Sequence, residues 1–194
     1  MQKIVLATTS KFRIKAFELL GLDFTALPSE IDEKSIERPK DPKELVLFLS
    51  KLKAESLARN LSKEIVIGCD TVGVFENQIL EKVETNEARE RLISMSGKEF
   101  SLITGIYMVN LQTKQSCQKI VQTNCKMRNY SVSEVKKYLS QDKEVVSYAI
   151  SFAPGGLYSC TFIESISGSY NNLTKGIPLE KIVEMLAEVG YKLI

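Results

Sequence analysis

The chain has 194 residues, with 26 Lys plus Arg against 24 Asp plus Glu, four Cys, no Trp and no His. Without imidazole, one chain cannot build a Ser/His/Asp triad, a Cys/His dyad or a His-ligated zinc or non-haem iron site, so its chemistry must use carboxylates, lysine, tyrosine, hydroxyls or thiols. A net charge of +2 with no run of like charges argues against binding bulk nucleic acid or an anionic membrane, and at this length roughly 70% of the unfolded chain's surface should be buried.

Lys3-Ile-Val-Leu-Ala7 predicts a buried strand that ends in the hydroxyl-rich loop Thr8-Thr9-Ser10. The opening run is too short for a secretory signal or a membrane span, so a soluble cytoplasmic protein is expected. Ser10 is placed to cap a helix carrying Ile14, Phe17 and Leu20 on one face, with Gly21 as its stop. A strand, hydroxyl loop and helix start in this order present backbone N–H groups to an anion. Pro39 and Pro42 punctuate a charged segment. Beyond them Leu45, Phe48, Leu49 and Leu52 mark an amphipathic helix to about Asn60, with Lys53 at the edge of its apolar stripe.

Ile65 to Phe75 is an apolar run interrupted by Asp70, followed by a turn at Glu76-Asn77-Gln78 and a return strand at Ile79-Leu80. A helix is expected from Asn86 to Met95, ending at Ser96-Gly97. Phe100–Leu111 and Ser116–Arg128 then alternate as paired strands joined through Gln112-Thr113-Lys114. Ser131-Val-Ser-Glu134 is a capping box opening a helix through Leu139. Cys160–Ile166 reads as a strand, and Pro178 opens a last helix whose stripe is Leu179, Ile182, Val183 and Leu186, with Gly190 beyond its end. No repeat or long linker divides the chain, so residues 1–194 are expected to form one α/β domain, bilobed around a cleft, with helices flanking a mixed twisted sheet.

A lone carboxylate inside Ile-Val-Ile-Gly-Cys-Asp70-Thr-Val-Gly-Val would be expensive to bury unpaired. It either sits where the strand leaves the core, paired with a metal or cation, or caps a turn through its side chain. A strand-end carboxylate, a lysine at a helix edge and a hydroxyl-rich strand-to-helix loop together would suit a metal-bound polyphosphate. Cys69, Cys117, Cys125 and Cys160 are spread singly and read as reduced thiols; Cys69 is a small core residue or a nucleophile.

Leu6-Ala-Thr-Thr-Ser10-Lys-Phe-Arg13 resembles the opening L-A-S-x-S-P-R-R of the Maf family, and Ile31-Asp32-Glu33 its I-D-E. Lys53-Ala54, Gly68-Cys-Asp-Thr71 and Ile79-Leu-Glu-Lys82 are similar to its K-A, G-A-D-T and I-L-G-K, and Ser96-Gly97, Thr104-Gly105 and Gly176-Ile-Pro178-Leu follow in order. The resemblance spans nearly the whole chain. It implies a nucleoside triphosphate pyrophosphatase that cleaves between the α and β phosphates of a pyrimidine or modified nucleotide, with Mg²⁺ or Mn²⁺. It also implies a fold related to inosine triphosphate pyrophosphatases, and commonly a homodimer. Asp70 would be the proton acceptor, and Asp70 with Glu33, and with Asp32 as a lesser contributor, would hold the cation. Arg13, Lys53 and Lys82 would clamp the triphosphate, with Ser10 adding a hydroxyl to a phosphate oxygen.

The chain departs from the family pattern at several positions. Phe12 replaces the family's first arginine, Lys11 its proline, and Ala149-Ile-Ser-Phe152-Ala-Pro-Gly155-Gly156 places Gly155 where the family has glutamine or glutamate. Phe12, Thr71 and Gly155 are therefore the expected specificity positions, although Phe12 could equally face the core. An aromatic at position 12 suits the methylated-guanine subgroup and Thr71 suits the dTTP and UTP subgroup. The competing reading is a non-catalytic nucleotide-binding regulatory protein linked to cell division.

Overall fold

The computed structural model describes residues 2–33 and 35–193. Strand β1 (Ile4–Ala7) is buried at every position. It lies between two parallel partners, β2 (Phe24–Leu27) and β3 (Ile65–Phe75), in registers running from Ile4↔Phe24 to Ala7↔Leu27 and from Ile4↔Ile65 to Ala7↔Gly68. A strand with neighbours on both edges and helices on both faces has no solvated side, which is why its sequence is uninterruptedly apolar. β3 turns back into the short antiparallel β4 (Gln78–Leu80). Glu76 and Asn77 both take positive φ, 49° and 62°, the combination a tight hairpin turn requires.

The remaining strands are β5 (Glu99–Asn110), β6 (Ser116–Met127) and β7 (Ile163–Ser167), and the seven-stranded sheet runs β2-β1-β3-β5-β6-β7, with β4 attached to β3. β6 and β7 pair antiparallel, so the sheet is mixed. The helices are α1 (Lys11–Glu18), α2 (Pro42–Ala58), α3 (Thr85–Met95), α4 (Val132–Gln141), α5 (Tyr170–Lys175) and α6 (Leu179–Glu188). The expected α/β class with a helix-flanked mixed sheet is what the chain adopts.

Two compact units are distinguished, the first comprising Met1–Thr71, Thr104–Val121 and Lys175–Ile194, the second Val72–Ile103 and Gln122–Thr174. In the first, alternate residues of β1 and β3 serve opposite faces of the sheet. Ile4, Leu6, Ile65 and Ile67 pack with Ala16 and Phe17 of α1 and Ile182, Met185 and Leu186 of α6. Val5, Ala7 and Val66 pack with Ala54 and Leu57 of α2 on the other face. The second unit has its own core, which includes Phe75, Leu92, Met95, Phe100, Val135, Tyr138, Phe152 and Phe162.

Several elements differ from the sequence expectation. Pro42 is the first residue of α2 and not a break before it, because Asp41 caps the helix by accepting from Lys43 N and Glu44 N at 2.9 Å each. Cys160 lies in a 3₁₀ turn, Tyr158–Thr161, so β7 starts only at Ile163. In α6 Met185 takes the buried place expected of Val183, which is half-buried. The capping box at Ser131 and Glu134 is present with both reciprocal bonds. Among the described residues no helix is long and apolar enough to cross a membrane.

The approach of α2 to the sheet decides where the site residues fall. A methyl group at Gly68 of β3 would overlap the Ser50 carbonyl oxygen and lie 3.0 Å from Ala54 N. At Gly105 of β5 it would overlap the Val46 carbonyl oxygen and lie 2.7 Å from Leu47 N. Val46, Ser50 and Ala54, one turn apart along one line of the helix, are all buried. Glycine on both strands therefore lets the α2 backbone sit directly on the sheet.

Candidate functional site

Asp70 shares the α2 face of β3 with Val66 and Gly68, two residues apart each time. Because α2 lies so close, Lys53, one residue before the buried Ala54, reaches this carboxylate with its Nζ 2.5 Å from Asp70 Oδ1. The same ammonium lies 2.9 Å from Glu33 Oε1, brought in by the turn that follows β2. The Lys53 and Asp70 side chains are only 12% and 11% exposed, whereas that of Glu33 is 41% exposed. Asp70 is thus the paired carboxylate that the cost of burying a lone charge demands, and its immediate partner is a lysine.

The next residue, Thr71, points to the opposite face and belongs to a second cluster. Arg13 of α1 donates from Nη2 to Thr71 Oγ1 (2.9 Å), from Nη1 to the Cys69 carbonyl (2.9 Å) and from Nε to the Gly176 carbonyl (3.0 Å). Thr71 Oγ1 also lies 2.7 Å from Thr104 Oγ1 and 3.3 Å from the Gly176 carbonyl, so its one donor and two acceptor positions are committed within the protein. Arg13 has five N–H groups, of which these three bonds use three. Among the described residues the other two make no hydrogen bond within the protein.

Ser10 caps α1 as expected, its Oγ accepting from Arg13 N at 3.4 Å while its own N–H donates to Thr8 Oγ1 at 3.1 Å. Phe12, left open between core and surface by the sequence, is 39% exposed, with the Lys11 ammonium 5.5 Å from its ring centre. Asp32 is exposed, and its carbonyl accepts from Ser35 N–H and Oγ at 3.1 and 3.0 Å.

Lys82 and Gly155 belong to the second unit. Lys82 is exposed in the segment directly after β4, and Gly155 is exposed in a turn where an added Cβ would make ordinary 3.5 Å contacts with Thr174. The flanking Ile150, Ser151 and Phe152 are buried, so the segment has a fixed foot and an exposed tip.

Among the described residues no three His, Cys, Asp or Glu side chains gather in a way that could hold a metal ion. Asp70 and Glu33 are the two carboxylates that would hold a hard cation of the Mg²⁺ kind. Asp70 and Glu33 converge on one point that already carries a positive group, and such ions commonly take one or two carboxylates, with water and substrate phosphates completing the shell.

Cys69 is core. It is 1% exposed in the cluster under α1 and α6, and burial pushes its thiol up to about 11. Cys125, likewise buried, is pushed up to about 12, and Cys160 is exposed. Alkylation of the folded protein at pH 8 is expected to label Cys160 and spare Cys69 and Cys125, read by peptide mass spectrometry. Rapid labelling of Cys69 would contradict its burial.

Known proteins resemble this chain along nearly its whole length. The family model described as Maf-like protein matches residues 3–189. The chain belongs to the Maf family. This Maf chain is 33% identical over 190 residues to a dTTP/UTP pyrophosphatase of Syntrophus aciditrophicus, covering 97% of the chain and 91% of that relative. It is 32% identical over 191 residues to a 7-methyl-GTP pyrophosphatase of Pseudomonas putida, covering 98% of each. Both relatives are hydrolases acting on acid anhydrides. Among solved structures, a nucleoside-triphosphatase described as a dITP/XTP pyrophosphatase from Mycobacterium abscessus aligns over 96% of this chain and 94% of its own, with 9% identity and a TM-score of 0.45.

Sequence reasoning did not find the second-cluster partners of Arg13, since two are backbone carbonyls. Thr104 stands in the sequence only as part of the Thr104-Gly105 motif. Gly68 and Gly105 did carry a signal: glycine inside an otherwise apolar strand marks close backbone approach.

Proposed function

We propose that this Maf protein hydrolyses the α–β anhydride of a pyrimidine or modified nucleoside triphosphate, giving the monophosphate and pyrophosphate. The observation that carries the proposal is the convergence of Asp70 and Glu33 on the Lys53 ammonium, with Arg13 held at the neighbouring strand position. In-line attack on a phosphoanhydride asks the protein for a positioned water, a proton acceptor and fixed positive charge around the phosphate oxygens. Asp70 supplies the acceptor: Oδ1 is held by Lys53, which fixes the carboxylate so that its other oxygen takes the water's proton. Lys53, shared between two carboxylates, orients both and offers its charge to the phosphates. A divalent ion held by Asp70 and Glu33 would lower the pKa of bound water and neutralise phosphate charge.

Arg13 contributes its two remaining N–H groups to phosphate oxygens. It is pre-set by three bonds to the protein, so little side-chain entropy is lost on binding. Ser10 and the start of α1 provide hydroxyl and backbone donors for the same anion. Lys82 is assigned to phosphate, and Phe12 and the segment around Gly155 to the base. Thr71, whose hydroxyl is committed to Arg13, Thr104 and Gly176, acts on selectivity through the placement of Arg13. Residues 1–194 are proposed to act as one catalytic domain, working in the cytoplasm as a homodimer. Both kinds of curated relative support a triphosphate substrate and leave two base classes in play.

The test is a panel of dTTP, UTP, 7-methyl-GTP, dITP and the common triphosphates, with Mg²⁺ or Mn²⁺ and separate readouts for pyrophosphate and orthophosphate. Pyrophosphate with the matching monophosphate is the expected product pair. Orthophosphate with the diphosphate, or nucleotide binding without turnover, would overturn the proposal.

A further inference from the structure

Arg91 is a half-buried residue of α3 and is used by nothing in the proposed chemistry. Its Nη1 donates to the carbonyls of Glu81 and Ala149, both at 2.8 Å, and lies 3.2 Å from Ser151 Oγ. Nη1 carries two hydrogens, so three acceptors from two distant stretches of chain share one donor group. Glu81 immediately precedes Lys82. Ala149 and Ser151 lie within three residues before Phe152–Gly156. The guanidinium therefore ties the base of one candidate substrate segment to the base of the other, all within the second unit.

The Ala149–Phe152 foot is otherwise built to be rigid. Ile150 enters the space left by Gly73, where a Cβ would overlap its Cγ2. Ser151 is wholly buried and holds φ at 63°, a left-handed conformation that a non-glycine residue keeps only when its surroundings enforce it. Phe152 packs edge-on against Phe100 and Phe162, at 5.9 and 6.3 Å between ring centres. Downstream, the buried Ser159 hydroxyl lies 2.8 Å from the Ala153 carbonyl and 2.7 Å from that of Gly156. Between these anchors Gly155 and Leu157, the latter 53% exposed, form the tip. In the Lys82 segment, Leu80 is buried in the core of the second unit and Val83 packs against it, while Lys82 between them is exposed. Arg91 itself is partly withdrawn from water, which depresses its pKa against the pull of the Glu87 and Glu81 carboxylates. A charged donor moved toward the interior pays for that only if its hydrogen bonds are made.

We infer that Arg91 is a positioning residue that fixes the Lys82 segment relative to the Phe152–Gly156 loop and thereby sets which base the enzyme accepts. The inference rests on the proposed function, which assigns those two segments to phosphate and base. Arg91→Met keeps the aliphatic stem and removes every donor. Arg91→Lys keeps a charge and three donors on one nitrogen but ends on a shorter side chain, so its ammonium falls short of the place that Nη1 takes between the two carbonyls.

Arg91→Met is expected to raise KM about 10–100-fold with kcat changed much less, as loss of charge-assisted bonds implies. The ratio of kcat/KM between UTP and 7-methyl-GTP should move toward unity, with Arg91→Lys intermediate. Hydrogen exchange read by mass spectrometry should rise together in peptides covering 81–84 and 149–157, while α4 stays protected. Unchanged selectivity and exchange, or a lower melting temperature with unchanged KM and selectivity in the folded fraction, would overturn the inference. If Arg91→Met fails to fold, Arg91→Lys is read by the same criteria. If the wild-type protein hydrolyses no triphosphate, the proposed function fails, while coupled exchange in the two segments still reports the tether by itself.

Discussion

Asp70→Asn is expected to lower kcat roughly 10²–10⁴-fold while leaving the protein folded, the range lost when a positioned general base is removed. The exchange is isosteric, so β3 and α2 keep their packing, but the amide accepts a proton far less readily and carries no charge for a cation. Two effects on stability compete. Removing one partner of a buried ion pair commonly costs about 3–5 kcal/mol when the other is left alone. Here Lys53 keeps Glu33 at 2.9 Å, whose side chain is 41% exposed, so water and a second carboxylate compensate and the cost should be well below that range. The kinetic loss therefore dominates. Steady-state kinetics on the preferred triphosphate, with a thermal melt and a nucleotide titration on the same sample, separates the outcomes. Near-normal kcat in a folded variant would remove Asp70 from the proton-accepting role, and lost activity with a collapsed melt would make it structural.

How much of this site could be read from the sequence depends on the range of the interaction involved. The Ser131–Glu134 capping box and the Glu76-Asn77 turn are set by residues a few positions apart, and both were legible. β1 and β3 were legible because burial on both faces writes an unbroken apolar run. β2 was not: Phe24-Thr-Ala-Leu27 is four residues long, exists by pairing with β1, and shows no period. α5 was missed because it depends on distant partners, with Asn172 donating to Thr123 Oγ1 at 3.1 Å from one side chain to another 49 positions away. In the site, the residue types were legible and their division was not. Asp70 and Thr71 are adjacent in sequence, yet strand alternation sends one to Lys53 and the other to Arg13.

Gly68→Ala is expected to lower stability substantially, because the added carbon would overlap a backbone oxygen. Side chains can rotate away from a new methyl group. The Ser50 carbonyl cannot, since it is fixed within α2, and Ala54 N presses on the same position at 3.0 Å. Relief requires α2 to lift from β3. Overpacking of this kind costs about 1–3 kcal/mol, which for a chain of this length corresponds to a fall in Tm of roughly 2–12 °C. The same displacement has a functional consequence, since Lys53 is carried by the turn that would move, and its 2.5 Å contact with Asp70 would lengthen. Gly155→Ala is the internal control: its Cβ would make only 3.5 Å contacts with Thr174, so Tm should stay within about 1 °C of wild type. Thermal unfolding of both variants, with kcat/KM measured below either transition, tests the coupling. A Gly68→Ala protein with unchanged Tm would mean that α2 is not held at this distance by glycine. Lowered Tm with unaltered kcat/KM would mean that the helix can shift without disturbing Lys53.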